Sequence, residues 1–115
     1  MPFYKKQDEI KTFTQADGAV ILTESTYHRT SHQVSFSTTA TTGTLAVEVK
    51  YHPFADFEPL LDEDGVTPVV VDLSAPKTFQ LKDKWVHSFK FTPTGVDGEY
   101  KVLIGTGYMD NPYKK

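Results

Sequence analysis

Residues 44–51 read Thr-Leu-Ala-Val-Glu-Val-Lys-Tyr, and they give the clearest indication of the fold. Every second side chain in it is apolar: Leu45, Val47, Val49 and Tyr51. The charged residues Glu48 and Lys50 fall between them, on the opposite face. A repeat of two residues is the pattern of a β-strand with one buried face and one face in water. The stretch therefore predicts a strand of a sheet that packs on a core.

Two later runs alternate in the same way. In residues 85–92 the inner face carries three aromatic side chains, Trp85, Phe89 and Phe91. Residues 99–104 form the second run, and the segment 92–98 between them is rich in Pro and Gly, as turns are. We therefore predict that the two runs are antiparallel neighbours in one hairpin that spans 85–104.

Turn signals and prolines place two further segments. Residues 19–23 are a short apolar run directly after the turn pair Asp17-Gly18, which predicts a hairpin with residues 10–14. Residues 51–61 contain two prolines, which cannot donate hydrogen bonds to a sheet. We therefore expect this middle segment at a sheet edge or in an irregular crossing.

The whole chain reads as eight or nine short strands at intervals of about 8 to 12 residues, the spacing of a sandwich. We predict an all-β fold, a single antiparallel β-sandwich that is either Ig-like or jelly-roll-like. At 115 residues the chain has room for one core, so one domain spans 1–115. Residues 1–8 and 108–115 lack the alternation and are predicted to be arms.

Composition excludes several classes of partner and site. The net charge is -3 and the 12 Lys and Arg residues are scattered, so we expect no nucleic-acid partner. The absence of Cys excludes disulfides and thiolate metal ligands. No apolar run approaches the ~20 residues that cross a bilayer, so no membrane partner is expected. The first residues lack a signal-peptide pattern, which predicts synthesis in the cytoplasm without export.

Two motifs resemble metal sites weakly. His28 and His32 have the i, i+4 spacing of ligands on a helix, but residues 25–32 read as a polar, exposed loop. The run 62–65, Asp-Glu-Asp-Gly, lacks the ligand spacing of a calcium loop and predicts an acidic hairpin turn. We expect no metal and no cofactor.

Catalytic residues are not expected either. The carboxylates considered are Asp56, Glu58 and Asp72, and the serines considered are Ser25, Ser31, Ser35, Ser37, Ser74 and Ser88. None of the serines lies in a Gly-x-Ser-x-Gly context, and no pair has a spacing tied to a mechanism. The sequence therefore predicts a protein without enzymatic activity.

Aromatic residues outside the strands are the main binding signal. They either close the ends of the core or act as anchors for a partner. The candidate partner-binding residues, with two neighbouring lysines, are Phe3, Tyr4, Lys5, Lys6, Phe54, Phe57, Tyr108 and Tyr113. Sugars also stack on such rings, so glycan binding is a second interpretation.

Four segments resemble small structural proteins of tailed bacteriophages. They read TGTLAVEV at 42–49, FEPL at 57–60, VDLSAPKTF at 71–79 and FTPTGVDGEYKV at 91–102. Together with the acidic turn, their order matches that group over about two thirds of the chain. The resemblance implies a β-sandwich that is part of the virion and has no catalytic residues.

The role implied by the resemblance is that of a non-enzymatic structural virion protein. We expect a capsid decoration or cement protein that binds the assembled shell, with the major capsid protein or other virion proteins as partners. A dimer or trimer of the chain is implied by analogy. The alternatives are a tail or fibre accessory protein, and a module that binds glycans or a host surface.

Overall fold

The computed structural model describes residues 4–5, 10–23, 31–82 and 85–107. That part of the chain forms nine strands and one 3₁₀ turn, Gln15–Asp17. The strands are β1 (Tyr4–Lys5), β2 (Val20–Thr23), β3 (Ser31–Thr38), β4 (Thr44–Lys50), β5 (Glu58–Pro59), β6 (Val70–Asp72), β7 (Phe79–Lys82), β8 (Ser88–Thr94) and β9 (Tyr100–Gly107).

The strands form two antiparallel sheets, which confirms the predicted all-β sandwich. Sheet A has the order β1-β9-β3-β7, and sheet B has the order β2-β8-β4-β5. Strand β6 also pairs with β4, next to β5 on the same side. The middle segment with its prolines therefore lies at an edge of sheet B, as expected.

The strand pairing is nested: the first strand of the chain pairs with the last, and the following strands pair in the same way towards the middle of the chain. β1 pairs with β9, β2 with β8, β3 with β7, and β4 with β5 and β6. Strands β1 to β4 alternate between the sheets, and so do β7 to β9. This is a long hairpin rolled up across two sheets, so the sandwich is jelly-roll-like.

The core lies where the inner faces of the two sheets meet. Leu45, Val47 and Val49 of β4 are fully buried, as their alternation predicts. On the neighbouring strand the stacked rings of Phe89 and Phe91 are 6.1 Å apart. Each fully buried side chain of this size contributes about 1.5 to 3 kcal/mol. Stability therefore rests on apolar packing between the sheets.

The predicted hairpin over 85–104 is wrong. Its two strands, β8 and β9, lie in different sheets and face each other across the core. Alternation specifies which face of a strand is buried but not which strand lies beside it. Residues 95–99 therefore cross between the sheets instead of turning within one.

Trp85 lies outside the strand that was predicted to bury it. Its side chain is 55% exposed, while Val86 is fully buried. Strand β8 begins only at Ser88, and the His87 amide donates to the Lys50 carbonyl at 2.8 Å. Because residues 85–87 cross the end of the sandwich, their side chains do not follow the alternation of the strand.

The predicted hairpin of 10–14 with 19–23 is also wrong. Phe13 pairs with Tyr100 in sheet A, whereas β2 pairs with β8 in sheet B. The 3₁₀ turn between them carries the chain from one sheet to the other, and the Thr14 amide donates to Asp17 Oδ2 at 2.7 Å. The turn pair Asp17-Gly18 therefore ends this 3₁₀ turn.

A dense set of hydrogen bonds closes one end of the sandwich, the threonine end (residues 39–43 and 95–99). Asp97 accepts bonds from the Thr41 hydroxyl at 2.5 Å and from the amides of Thr41 and Thr42. These bonds lower the pKa of Asp97, and the bond from the Thr41 hydroxyl has the largest effect. Gly43, at φ +114°, lies so close to Val96 that a Cβ would come within 2.6 Å of its Cα. This end is polar, compact and internally satisfied.

Candidate binding surface

The opposite end of the sandwich gathers the aromatic loops. At this end of sheet A, Ser31 of β3 lies between Lys82 of β7 and Gly107 of β9. At the same end of sheet B, Ser88 of β8 lies between Thr23 of β2 and Lys50 of β4. The loop 51–57 leaves from Lys50, and the segment 85–87 crosses from sheet A to sheet B. We call these two segments the aromatic end.

Phe54 is the most exposed large apolar side chain of the described residues, at 92%. Its amide donates to His52 Nδ1 at 3.1 Å, and the Ala55 amide donates to the His52 carbonyl at 3.0 Å. The His52 and Phe54 rings lie 5.7 Å apart. A hydrogen-bonded turn therefore presents Phe54 to solvent.

Phe57, the second aromatic residue of this loop, has a different environment. Its ring centre lies 5.4 Å from Lys50 Nζ and 5.6 Å from Lys90 Nζ, and the side chain is half-buried. Both lysines lie on the outer face of sheet B, where Lys90 also pairs with Glu48 at 3.9 Å. Cation–π contacts of this kind are worth about 0.5 to 1 kcal/mol at exposed sites. Phe57 thus holds the loop against sheet B while Phe54 faces outward.

The other predicted partner-binding residues fall partly outside the described residues. Tyr4 and Lys5, expected in an arm, form β1 instead, opposite Gly107 and Thr106 of β9. Backbone pairing with β9 explains this, and it places them at the aromatic end. Phe3, Lys6, Tyr108 and Tyr113 lie outside the described residues. Trp85, which the alternation assigned to the core, joins the exposed aromatic set.

A groove of about 900 Å³ opens along one side of the sandwich. Its walls are β5 with the following hairpin on one side and β7 on the other, which are edge strands of the two sheets. Tyr51 and Glu58 lie along the groove. The pKa of Tyr51 is raised, mainly because its hydroxyl is partly buried and to a smaller extent because the Glu58 carboxylate is near. The sequence pattern does not predict this groove, because the groove depends on which strands lie at the sheet edges.

The acidic run at 62–65 forms the predicted hairpin turn. Leu61 and Pro68 pair across it, and Gly65 has a positive φ of 72°. The two oxygens of Asp64 accept bonds from Val66 and Thr67. These bonds lower the pKa of Asp64 to about 2, and the bond from the Thr67 hydroxyl has the largest effect. Asp64 therefore stabilises the turn.

The structure corrects the environment predicted for the histidine pair. His32 lies in β3 rather than in an exposed loop, with 1% of its surface exposed and its ring edge against Phe89. The strand alternation of β3 buries it alongside Val34. His28 lies outside the described residues. Within the described ranges, no group of three or more acidic or histidine residues could hold a metal ion.

One of the serines considered for catalysis has a histidine partner. The Ser88 hydroxyl lies 2.8 Å from His87 Nδ1 and 3.1 Å from the Thr23 hydroxyl. Only 2% of Ser88 is exposed, and the residue does not line the groove. These contacts satisfy a buried hydroxyl, as interior polar groups require.

No family model matches the chain, and no curated protein matches it well enough to count as a relative. Among solved structures, the crystal structure of the SPBc2 prophage-derived protein YomS is similar, with a TM-score of 0.58 and 11% sequence identity. The alignment covers 93% of this chain and 95% of that chain. At this identity the likeness establishes a shared fold, and a shared fold does not determine function. Among the residues placed in the structure, none forms a helix long and apolar enough to cross a bilayer.

Proposed function

We propose that this chain is a structural protein of a phage particle, without enzymatic activity, that binds the assembled capsid shell as a decoration protein. The observation that carries the proposal is the aromatic end, where a fixed turn presents Phe54 almost fully to solvent. Apolar rings held in this way are the anchors of protein interfaces.

The fold supports a phage origin. The nested two-sheet order is used by viral capsid domains, among others, and the similar structure YomS derives from a prophage. Its likeness extends over nearly all of both chains, so the comparison involves the whole domain. The four sequence segments that resemble phage structural proteins point in the same direction.

The two ends of the sandwich differ in a way that suits one-sided docking. The threonine end satisfies its polar groups internally, through Asp97 and the neighbouring threonines. The aromatic end exposes Phe54 and Trp85. A protein that attaches to a lattice through its aromatic end would therefore present a polar, internally hydrogen-bonded surface outward.

Shell stabilisation would follow from mass action. A chain that binds assembled shells but not dissociated subunits stabilises each site by RT ln(1 + [L]/Kd), about 2.7 kcal/mol when the free concentration is a hundred times Kd. Repeated over a lattice, modest individual contacts would produce a large increase in shell stability.

The copy number of the chain in purified particles tests this proposal. Quantitative mass spectrometry should find copies on the order of hundreds, because a shell repeats its sites. A count of about a dozen or fewer would overturn the decoration role and favour a tail or fibre accessory protein. Absence from particles would overturn the structural role altogether.

Glycan binding is a second candidate, favoured by the exposure of Trp85 and Phe54 on one end. Sugars stack on aromatic faces, and lectin domains also use the jelly-roll order. Binding to a glycan array that is lost in both Trp85→Ala and Phe54→Ala variants would support this candidate over shell binding.

A further inference from the structure

The groove along the side of the sandwich is bounded by two strand edges. β5 is the last strand of sheet B and β7 the last strand of sheet A, and residues of both line the groove. An edge strand has backbone N–H and C=O groups that another strand can pair with. The groove therefore combines a cleft with two places where a strand could be added.

The two edges are not equivalent. β5 spans only two residues, and one of them is Pro59, which has no N–H to donate. β7 spans four residues, Phe79–Lys82, and pairs with β3 along its other side. Strand addition is therefore favoured on β7.

The floor of the groove is apolar. Leu60 and Leu81 are buried beneath it, and Phe79 is half-buried, with its ring 6.2 Å from that of Phe36. Side chains of an added strand that point inward would meet these residues, since alternate residues of a strand face one side.

The charge of the groove selects the occupant. Among the lining side chains that the structure describes, three are carboxylates, Glu58, Asp62 and Glu63, and none is Lys, Arg or His. Asp62 and Glu63 begin the acidic turn, and the Asp62 carboxylate accepts a hydrogen bond from the Glu63 amide. A wall of carboxylates above an apolar floor is complementary to a segment that alternates apolar and basic residues.

We propose that this groove binds an extended, Lys- or Arg-bearing segment of a partner protein, which adds a strand to β7. Main-chain pairing would supply affinity, while the apolar floor and the carboxylates would supply specificity. The groove shares Tyr51 with the aromatic end, but the proposed strand pairing uses β7 and the acidic hairpin and does not depend on the role in the phage particle.

Titration of the full chain with a synthetic peptide, acetyl-Lys-Val-Lys-Val-Lys-amide, followed by NMR, tests the proposal. The amide resonances of residues 79–81 and 60–63 should shift in a saturable way, and amides of β7 should become protected from exchange. The same peptide with Glu in place of Lys should not bind, and added salt should weaken binding of the Lys peptide.

Paired variants separate the groove from general charge attraction. Glu58→Gln/Glu63→Gln should weaken binding about tenfold, whereas Asp56→Asn/Glu99→Gln, which removes two charges elsewhere, should leave it within about twofold. Equal effects of the two pairs, or shifts outside the groove, would overturn the proposal. So would groove shifts caused by a neutral oligosaccharide and not by the peptide. Because the variants replace exposed side chains, their unbound spectra also report whether the fold is kept.

Discussion

Phe13 and Tyr100 exchange two backbone hydrogen bonds, of 2.8 and 2.9 Å, and their rings lie 5.6 Å apart. This contact joins the N-terminal segment to β9 and fixes the point from which the chain crosses to sheet B. It is a long-range contact between segments that the sequence pattern assigned to separate hairpins. The nested order of the sandwich depends on such contacts.

Phe13→Ala should therefore destabilise the domain. The ring is half-buried against Tyr100, so its removal should lower the free energy of unfolding by about 2 kcal/mol, less than for a fully buried Phe. Phe54→Ala removes a ring of the same size that is exposed to solvent, so it should change the free energy of unfolding by less than about 0.5 kcal/mol. Urea unfolding checks both, and similar losses in the two variants would contradict the assigned environments.

Gly43 and Gly18 both have positive φ, yet their replacement should differ in cost. A Cβ at Gly43 would meet the backbone and side chain of Val96, whereas nothing lies within 4 Å of one at Gly18. Gly18→Ala should cost about 1 to 3 kcal/mol from backbone strain, because φ 67° with ψ −152° is a conformation that essentially only Gly adopts. Gly43→Ala should cost about 1 to 3 kcal/mol more because the threonine end must shift. Thermal unfolding checks the difference, and equal losses would contradict the close approach.

Stability should fall at low pH through the hydrogen-bonded aspartates. The pKa values of Asp64, Asp72 and Asp97 are lowered in the folded chain from the ordinary 3.8, to about 2 for Asp64. A group with a lowered folded pKa stabilises the fold above its unfolded pKa, and this contribution is lost as pH falls through the folded pKa. The melting temperature should therefore drop between about pH 4 and pH 2.

Asp97→Asn isolates one part of this effect. The variant should be less stable than the parent at pH 6 and should show a smaller drop below pH 4, since it has no carboxylate at this position to protonate. Asp56→Asn removes the same charge from the loop 51–57 and serves as the matched control. A parallel pH profile for Asp97→Asn and the parent would contradict the role of Asp97 at the threonine end.

Phe57→Leu should loosen the loop that presents Phe54. Leu keeps much of the apolar contact but removes the ring that lies against Lys50 and Lys90. Hydrogen exchange at the Phe54 and Ala55 amides should become faster, while exchange in β8 should be unchanged. Unchanged exchange at both loop amides would contradict the role of Phe57 in holding the loop.

The strands and their buried faces could be predicted from the sequence, but their partners could not. Leu45, Val47 and Val49 face the core as their spacing indicates. The same spacing in β8 and β9 is compatible with a hairpin or with two facing sheets, since both bury one face of each strand. Only the long-range pairing distinguishes these arrangements, and residue types within a strand do not encode it.

The candidate surface could be predicted only in part, for a related reason. Phe54 and Phe57 stand in one loop with similar neighbours, yet the first is exposed and the second lies on sheet B. The difference comes from Lys50 and Lys90, which sheet pairing brings together from distant parts of the chain. Trp85 was assigned to the core because the pattern does not show where β8 begins.

Binding of variants to assembled shells would show whether Phe54 anchors the protein. Under the proposed role in a phage particle, particles prepared without the chain would be sedimented with the parent protein, with Phe54→Ser and with Val66→Ser. Val66 is also apolar and is 76% exposed, but it lies on the acidic hairpin, away from the aromatic end. Phe54→Ser should weaken binding at least about tenfold, as loss of an anchor does, while Val66→Ser should bind like the parent. Undiminished binding of Phe54→Ser would contradict docking through the aromatic end.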